Sequence, residues 1–425
     1  LCCNSQQQPG STQSRWLQAS DDDKRQGVSM HELILISEKY KEDILDFFTD
    51  IHMHPELSFK EFRTTKAIKD LLVSLDIEIL DLGMETGVVG LLKGKYDGPT
   101  VALRGDIDAL PIYEEVDIKY KSRYDGIMHA CGHDIHTSCL VGCAYVLSHI
   151  RDSLHGNVKF IFQPAEEVNK GAKMLVERGV MENPKVDAIF GLHNHPDIPC
   201  GKIGVKLGGL MAAVDTIKIE VNGFGGHGGI PNRTIDPIVA SSAIIMGIQT
   251  IVSRNISPLE SAVISIGTIN GGTANNVISE KVDMTGTCRS FSNEVRKKIS
   301  ENLENIVCEI ARGYQATAKL DYLFDLPAVI NSKEMYAIAC KSVCDLYSED
   351  AIVDPIPSTG GEDFSIFMEK APGFFYWLGV GNKEQDCIYQ WHNPKFKADK
   401  NSILVGTNVL CQSVINYMDK LKNKI

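Results

Sequence analysis

Apolar and polar positions along the chain follow two periodicities, which predict alternating helices and strands. Apolar residues recur every three or four positions over residues 32–50 and 61–75, and Pro55 separates the two segments. Both segments therefore predict helices. Almost continuous apolar runs, rich in β-branched and aromatic residues, occupy residues 88–92, 100–103, 158–162 and 188–192. Because such runs are typical of strands in a sheet covered on both faces, the pattern predicts an α/β core.

The pattern changes from about residue 211. The predicted elements then run strand, helix, strand, strand, helix, strand, at residues 215–221, 235–252, 262–269, 281–288, 294–311 and 319–323. This is the order of a ferredoxin-like split unit. The core pattern resumes afterwards, with helices predicted at residues 333–346 and 401–420 and a strand at 374–378.

We therefore predict a two-domain α/β protein with an insertion. Residues 30–210 and 326–425 would form the core domain, and residues 211–325 an inserted α+β domain. Residues 1–29 are rich in Gln, Ser and Asp, which favours a disordered leader or an artificial extension.

Composition narrows the class of function. A chain of 425 residues with 43% hydrophobic residues can form two or three domains around a large core. Its net charge of −12 argues against nucleic-acid and anionic-membrane partners, so we expect a small-molecule substrate. No apolar run reaches the roughly 18 residues of a membrane span, and the first residues show no secretory signal. Twelve scattered cysteines favour free thiols and a cytoplasmic location.

The sequence MHACGHDIH at residues 128–136 concentrates one thiol and three imidazoles, and the run PAEE follows at 164–167. A single Cys or His is more often a structural residue, but this clustering favours a metal site. Thiolate, imidazole and carboxylate are ligands for divalent ions such as Zn²⁺ or Mn²⁺. Gly132 permits a tight turn between Cys131 and His133, at the predicted start of a helix where the dipole favours a thiolate. The pattern predicts a metalloenzyme.

Three polar clusters begin where predicted core strands end, at residues 104–108, 163–167 and 193–195. Ligands of open α/β sheets bind at the carboxyl ends of strands. We therefore expect the three clusters to meet at one edge of the sheet.

Nine short motifs then carry a family resemblance. They are RGDIDALP at 104–111, HACGHD at 129–134, FQPAEE at 162–167, GLH at 191–193, GHG at 226–228, DP at 236–237, NVI at 276–278, GEDF at 361–364 and HNP at 392–394. In this order they resemble the metal-dependent amidohydrolases that include hippurate hydrolase, N-acyl-amino-acid amidohydrolases and the plant auxin-conjugate hydrolases, relatives of aminoacylase. The resemblance covers residues 44–416. It implies a zinc-exopeptidase-like core, an inserted lid and dimerisation domain, and cleavage of N-acyl amino acids or related small conjugates.

The resemblance also implies a dinuclear centre. Cys131 would bridge two divalent ions, with the further metal ligands His133, Glu167, His193 and His392. Mn²⁺ or Zn²⁺ are expected, and Co²⁺ or Ni²⁺ also suit such mixed ligands. Glu166 would be the general base, and Asp108 would orient a metal-bound imidazole. Asp106 occupies the position of a ligating histidine in aminoacylase, a replacement typical of the branch with a bridging cysteine.

In the inserted domain, His227 matches a histidine that the family presents across a dimer interface to the scissile carbonyl. This implies a homodimer, or a tetramer. Asn276, Arg289 and Gly361 are the candidate substrate-binding residues, and Asn276 and Arg289 are equally candidates for purely structural roles. The chain departs from a common family pattern at Asn232, where relatives often have His, and some relatives have Ser at the position of Gly361.

Several alternatives stay open from the sequence. His195 rivals His193 as a ligand, whereas His129 and His136 are expected to be structural or to support the metal ligands. Glu166 and Glu167 would be expected on an extended segment with their side chains pointing opposite ways, or else in the acidic first turn of a helix. Glu362 and Asp363 are candidates for capping a helix at 364–369. A small-peptide exopeptidase, or a non-catalytic metal- or ligand-binding protein, are the alternative functions.

Overall fold

The computed structural model describes residues 29–422, so the leader predicted at residues 1–29 lies almost wholly outside the described residues. The helices of the described chain are α1 Met30–Lys39, α2 Lys41–Met53, α3 Phe62–Ser74, α4 His133–His149, α5 Gly171–Glu177, α6 Pro237–Thr250, α7 Asn293–Gly313, α8 Lys333–Leu346, α9 Phe364–Met368 and α10 Ser402–Lys422. The strands are β1 Glu78–Ile79, β2 Val88–Lys93, β3 Tyr96–Asp106, β4 His155–Gln163, β5 Ala188–Pro199, β6 Ile203–Gly204, β7 Gly208–Met211, β8 Ala213–Asn222, β9 Gly226–His227, β10 Ala262–Gly271, β11 Val277–Ile278, β12 Lys281–Ser290, β13 Thr317–Leu326, β14 Val329–Asn331, β15 Ile352–Val353 and β16 Gly373–Gly381.

An eight-stranded mixed sheet forms the centre of the core domain, in the order β1-β2-β4-β3-β5-β16-β6-β15. Strands β4, β3, β5 and β16 run parallel to one another. One face is covered mainly by α1, α2, α4, α8 and α10, and the other by α5 and α9, with apolar clusters on both sides. This confirms the α/β core and explains why the predicted strands are apolar without alternation.

The central strands deliver the polar clusters to one edge of the sheet, with two differences from prediction. Strand β3 continues past its predicted end at Leu103 to Asp106, so residues 104–106 lie inside it, whereas β4 ends at Gln163 as expected. Strand β5 instead continues to Pro199, so residues 193–195 lie inside it, where His193 pairs with Trp377 of β16. Pairing with the long strand β16 extends β5 beyond its apolar run.

A four-stranded antiparallel sheet, in the order β10-β12-β8-β13, follows in the chain. If the four strands are numbered by their order in the chain, their order across the sheet is 2-3-1-4. This is the arrangement of a ferredoxin-like unit. Helices α6 and α7 cover one face and enclose a separate apolar cluster. The domain boundaries at residues 211 and 325 stay a prediction. The first lies two residues before the start of β8, and the second lies one residue before the end of β13.

Two expectations from periodicity were wrong in detail. The helix predicted at residues 32–50 is broken at Tyr40, which has non-helical angles of φ −97° and ψ 8°. A break of one residue leaves apolar residues of both pieces facing the same core, so it is invisible in the pattern. The helical segment Pro237–Asn255, 19 residues with mean hydropathy 1.3, also exceeds the apolar length expected anywhere in the chain. Length and composition would let it cross a membrane, but this is weak evidence, since a helix of a folded domain meets the same criterion.

Candidate metal centre

The turn at Gly132 places Cys131 and His133 side by side. Gly132 has a left-handed φ of +79°, and a Cβ atom there would lie 2.4 Å from Nδ2 of Asn194. The position therefore needs glycine for both its angle and its space. Helix α4 begins immediately afterwards at His133, as the sequence predicts.

Two groups of potential metal ligands share the sulfur of Cys131. One contains Cys131, His133 and His193, and the other contains Cys131, Glu167 and His392, with the ligand atoms of each group within 4.8 Å of one another. Two ligands at about 2.1 Å from one tetrahedral ion lie about 3.4 Å apart. The separations are close to this: 3.5 Å from Cys131 Sγ to His193 Nε2 and 3.5 Å from His392 Nε2 to Glu167 Oε2. The arrangement has the form of two adjoining sites with one common sulfur.

Unpartnered buried atoms show that this donor set suits cations. His133 Nε2 and Glu167 Oε1 are buried, lie 3.8 Å apart, and have no hydrogen-bond partner among the described residues. Burial, with the nearby carboxylate of Glu167, raises the pKa of the Cys131 thiol well above its usual range. A pair of divalent cations would reverse this, because they stabilise the thiolate and supply a partner for each of the two atoms. The residues present therefore fit a metal centre.

Asp108 fixes the ring of His133. Its Oδ1 lies 3.1 Å from His133 Nδ1, while its Oδ2 accepts hydrogen bonds from the Ser58 hydroxyl at 2.7 Å and the Glu167 amide at 3.1 Å. Burial would raise the pKa of Asp108, but the bonds from His133 and Ser58 lower it. A carboxylate on Nδ1 leaves Nε2 as the free nitrogen, which is the arrangement of a metal-ligating histidine.

The conformation expected around Glu166 and Glu167 was wrong. The two residues lie in a turn after Ala165, which has a left-handed φ of +56°, and α5 begins only at Gly171. They are therefore neither on an extended segment nor in a first helical turn. Both carboxylates face His133, with oxygens 3.9 Å and 3.8 Å from its Nε2. Burial, reinforced by the carboxylates of Glu362 and Asp363, raises the pKa of Glu166 well above its usual range.

The contacts of the remaining histidines distinguish them from the candidate ligand His193. His195 Nδ1 accepts a bond from its own strand at Asp197, and the ring packs edge-on against Trp377, outside the ligand groups. His136 is bonded to Asp106 at 2.6 Å and to the backbone of Asn194 at 2.8 Å. His129 is buried without a partner for either ring nitrogen among the described residues. The structure thus brings His193, and not His195, to Cys131.

A cavity of about 340 Å³ opens beside the candidate ligands. Its lining includes Cys131, Glu166, Glu167, His193 and His392 from the core domain, and Val214 and Arg289 from the four-stranded sheet. Gly361 also lines it, and a Cβ atom there would meet Val214 at 2.5 Å. This volume is within the range of small-molecule sites. Residues from both sheets therefore surround one small pocket.

Comparison with known proteins identifies the family. The family model described as peptidase family M20/M25/M40 matches residues 102–416. The chain belongs to this family. N-acetylcysteine deacetylase of Bacillus subtilis is 44% identical over 89% of this chain and 98% of its own. Thermostable carboxypeptidase 2 of Saccharolobus solfataricus is 40% identical over 89% of this chain and 96% of its own.

Among solved structures, a dinuclear metal binding peptidase of the M20 family from Bacillus subtilis matches with a TM-score of 0.80. It is 39% identical, and the match covers 90% of this chain and 99% of that one. The resemblance to metal-dependent amidohydrolases is therefore confirmed, as are the α/β fold and the class of hydrolase. The donor groups and this neighbour together support a centre of two divalent metal ions.

Two predicted site residues of this M20 chain lie apart from the cavity. His227 is exposed on β9, where its Nδ1 accepts a bond from the Gly229 amide, and Asn276 lies next to it, accepting a bond from Gly228 through its backbone oxygen. Neither lines the cavity. The role across a dimer interface that the resemblance implies for His227, and the substrate contact expected of Asn276, stay predictions.

The motif GEDF behaves only partly as a helix cap. Glu362 Oε1 accepts a bond from the Phe364 amide at 2.9 Å, as a cap does. Asp363 does not cap α9 with its side chain and instead bonds Arg104 and Gln163, each at 2.8 Å. Sequence reasoning missed this role of Arg104, which is fully buried within RGDIDALP. The position of Arg104, a charged residue directly after the apolar run at residues 100–103, could have indicated this role.

Proposed function

We propose that this chain hydrolyses the amide bond of N-acyl amino acids or related small conjugates at a centre of two divalent metal ions. The observation that carries the proposal is the pair of ligand groups that share Cys131, at the wall of a small cavity. In this proposal His133, Glu167, His193 and His392 complete the ligand set. When bound, the ions would polarise the substrate carbonyl and lower the pKa of water.

Glu166 is the proposed general base. It lines the cavity next to Glu167, so its carboxylate can take a proton from the attacking water and return it to the leaving amine. Asp108 is proposed to act indirectly, by holding the His133 ring in one orientation. Both roles depend on the position of these carboxylates relative to the ligands.

Arg289 is the proposed contact for the substrate carboxylate. Its Nη1 donates bonds to the Thr287 hydroxyl and to the carbonyl oxygen of Cys288, while its side chain reaches the cavity. The remaining guanidinium donors can bind a carboxylate in a bidentate manner. Gly361 would keep its part of the cavity wall, next to Val214, free of side-chain atoms. The proposed substrate is therefore a small acyl compound with a free carboxylate.

A second copy of the chain is proposed to supply His227 and Asn276. The segment Pro237–Asn255 and the neighbouring edge strand β10 expose apolar residues, among them Val239 at 49%, Met246 at 72% and Val263 at 41%. An unpaired edge strand and an apolar helix face favour burial against another chain. We propose a homodimer in which His227 of each copy stabilises the oxyanion in the site of the other. Light scattering would test the dimer.

Mn²⁺ and Zn²⁺ are the proposed ions, with Co²⁺ and Ni²⁺ as further candidates for this mixture of N, O and S ligands. A cytoplasmic location is proposed from the thiols: the ten cysteines of the described chain are all free.

A second candidate function is hydrolysis of small peptides from the carboxyl end. It is favoured by the 40% identity to thermostable carboxypeptidase 2. The same Arg289 contact would serve a peptide carboxylate, so only the group on the other side of the scissile bond differs.

A substrate series on metal-loaded protein tests the proposal. The protein would be stripped with a chelator, reloaded with Mn²⁺ or Zn²⁺, and assayed on N-acetyl-L-cysteine, other N-acetyl and N-benzoyl amino acids, and dipeptides. We expect activity on N-acyl amino acids that exceeds activity on dipeptides and requires added metal. Preference for dipeptides would favour the second candidate, and no hydrolysis of either class would contradict both.

A further inference from the structure

The side chain of Glu362 has one oxygen that the fold does not use. The residue is 1% exposed and lines the cavity. Its Oε1 is held by the Arg104 guanidinium at 3.0 Å and by the Phe364 amide at 2.9 Å. Its Oε2 is buried and has no hydrogen-bond partner among the described residues. An unsatisfied buried carboxylate oxygen is costly, so it is expected to have a donor in the working state.

The position of this oxygen relates it to the reaction. Glu166 belongs to one close group with His133 and Glu167 and to another with Glu362 and Asp363, in each of which the ligand atoms lie within 4.8 Å of one another. The proposed base therefore adjoins both the candidate metal ligands and Glu362. The scissile nitrogen is bonded directly to the carbonyl carbon under attack, and Glu362 lines the cavity beside the proposed base of that attack.

We propose that Glu362 Oε2 accepts a hydrogen bond from the N–H of the scissile amide. The inference rests on the proposed amidohydrolase function and adds a residue that recognises a secondary amide. When the carbonyl carbon becomes tetrahedral, the nitrogen lone pair is no longer delocalised. Holding the N–H on Glu362 fixes the direction of that lone pair, so that the nitrogen can accept the proton returned by Glu166. Glu362 would be a catalytic residue, since it touches the reacting nitrogen.

The variant Glu362→Gln gives a directional test. Arg104 and the Phe364 amide are both donors, so the glutamine oxygen must occupy the position of Oε1. The amide NH₂ then occupies the position of Oε2 and converts an acceptor into a donor. An amide substrate would meet a donor facing its own N–H, whereas the ester of the matching 2-hydroxy acid has no N–H to lose.

The experiment compares an N-acetyl amino acid with the corresponding O-acetyl 2-hydroxy acid in the wild type and in Glu362→Gln. We expect kcat/KM for the amide to fall roughly 10- to 100-fold more than kcat/KM for the ester. Asp363→Asn is the matched control, because it removes a charge from the same Arg104 network but does not line the cavity. In that control both substrates should change by the same factor.

A binding measurement gives a readout that does not depend on turnover. Calorimetry on metal-loaded protein would compare a phosphonamidate inhibitor, which has the N–H, with the isosteric phosphonate ester, which does not. The wild type should prefer the phosphonamidate roughly 10- to 100-fold, and Glu362→Gln should lose this preference. Equal losses for amide and ester, or an unchanged inhibitor preference, would overturn the assignment of Glu362. If the wild type hydrolysed neither substrate, the proposed function itself would fail, and this inference with it.

Discussion

The side-chain amide of Asn194 donates a hydrogen bond to the carbonyl oxygen of Cys131, with a distance of 2.6 Å. Its Oδ1 accepts a bond from the indole of Trp391 at 3.0 Å. Asn194 is fully buried and lies directly after His193, while Trp391 directly precedes His392. One side chain therefore connects the three segments that carry Cys131, His193 and His392.

Replacing Asn194 with leucine should weaken metal binding more than it weakens the fold. The change leaves the Cys131 carbonyl and the Trp391 indole without their partner, and loss of such supporting bonds typically costs roughly 10- to 100-fold in metal affinity. Metal titration followed by inductively coupled plasma analysis would measure this. Asn331→Leu is the control, since Asn331 is equally buried but bonds Lys206 and Phe375. It should lower stability while leaving metal affinity intact; equal losses of affinity in both variants would refute the specific role of Asn194.

Substitution of Gly132 by alanine should lower the free energy of unfolding by more than the left-handed backbone angle of this position alone explains. A left-handed φ costs a residue with a Cβ roughly 1–2 kcal/mol, and here the Cβ would also meet Asn194 at 2.4 Å. Gly126→Ala is matched closely, because Gly126 has φ +77° but nothing within 4 Å of the added atom. Chemical unfolding of both variants measures the difference. Similar free energies of unfolding would show that the contact with Asn194 is unimportant.

Glu166→Gln should preserve fold and metal content but abolish turnover. The amide cannot take a proton from water, and loss of a general base costs roughly 10²- to 10⁴-fold in kcat. Steady-state kinetics with metal analysis on the same preparation would show this. Glu369→Gln, at an exposed position, serves as the reference and should retain normal kcat. Substantial activity in Glu166→Gln would remove the residue from its proposed role.

The stability of the protein should decrease between neutral and alkaline pH because of His52. Burial lowers the pKa of His52, but its bonds to Asp134 at 2.5 Å and to Glu114 at 3.2 Å outweigh this and raise the pKa from 6.5 to about 9. The stabilisation is thus complete below about pH 6.5 and is lost as the pH rises through about 9. It amounts to roughly 3 kcal/mol at most. Free energies of unfolding measured from pH 6 to 10 should decline in the wild type and much less in His52→Gln; parallel profiles would contradict this.

The parts of the site that sequence predicted are those that the parallel strands position. Cys131, His133, Glu167 and His193 follow or lie in strands whose carboxyl ends must meet, so motif order and strand order together bring them close. Glu362 and Arg104 could not be paired in this way. Arg104 and Asp363 are 259 residues apart, and only the packing of α9 against the sheet brings the GEDF motif beneath the pocket.

Local backbone conformation was a second feature of the site that the sequence did not predict. The turn at residues 166–169 directs both glutamates to His133, and it depends on the left-handed Ala165, whose amide is held by the buried Glu61 at 2.9 Å. Nothing in the sequence PAEE indicates that partner. Hydrophobic periodicity also does not place His227 relative to the cavity; only the family resemblance implies that it acts across an interface, and that role stays a prediction.

Anomalous diffraction from crystals grown with Mn²⁺ tests the central claim most directly. The account predicts two metal peaks within about 4 Å of each other, each in bonding contact with Cys131 Sγ. One peak should also contact His133 and His193, and the other Glu167 and His392. A single peak, or two peaks that do not share the Cys131 sulfur, would contradict it.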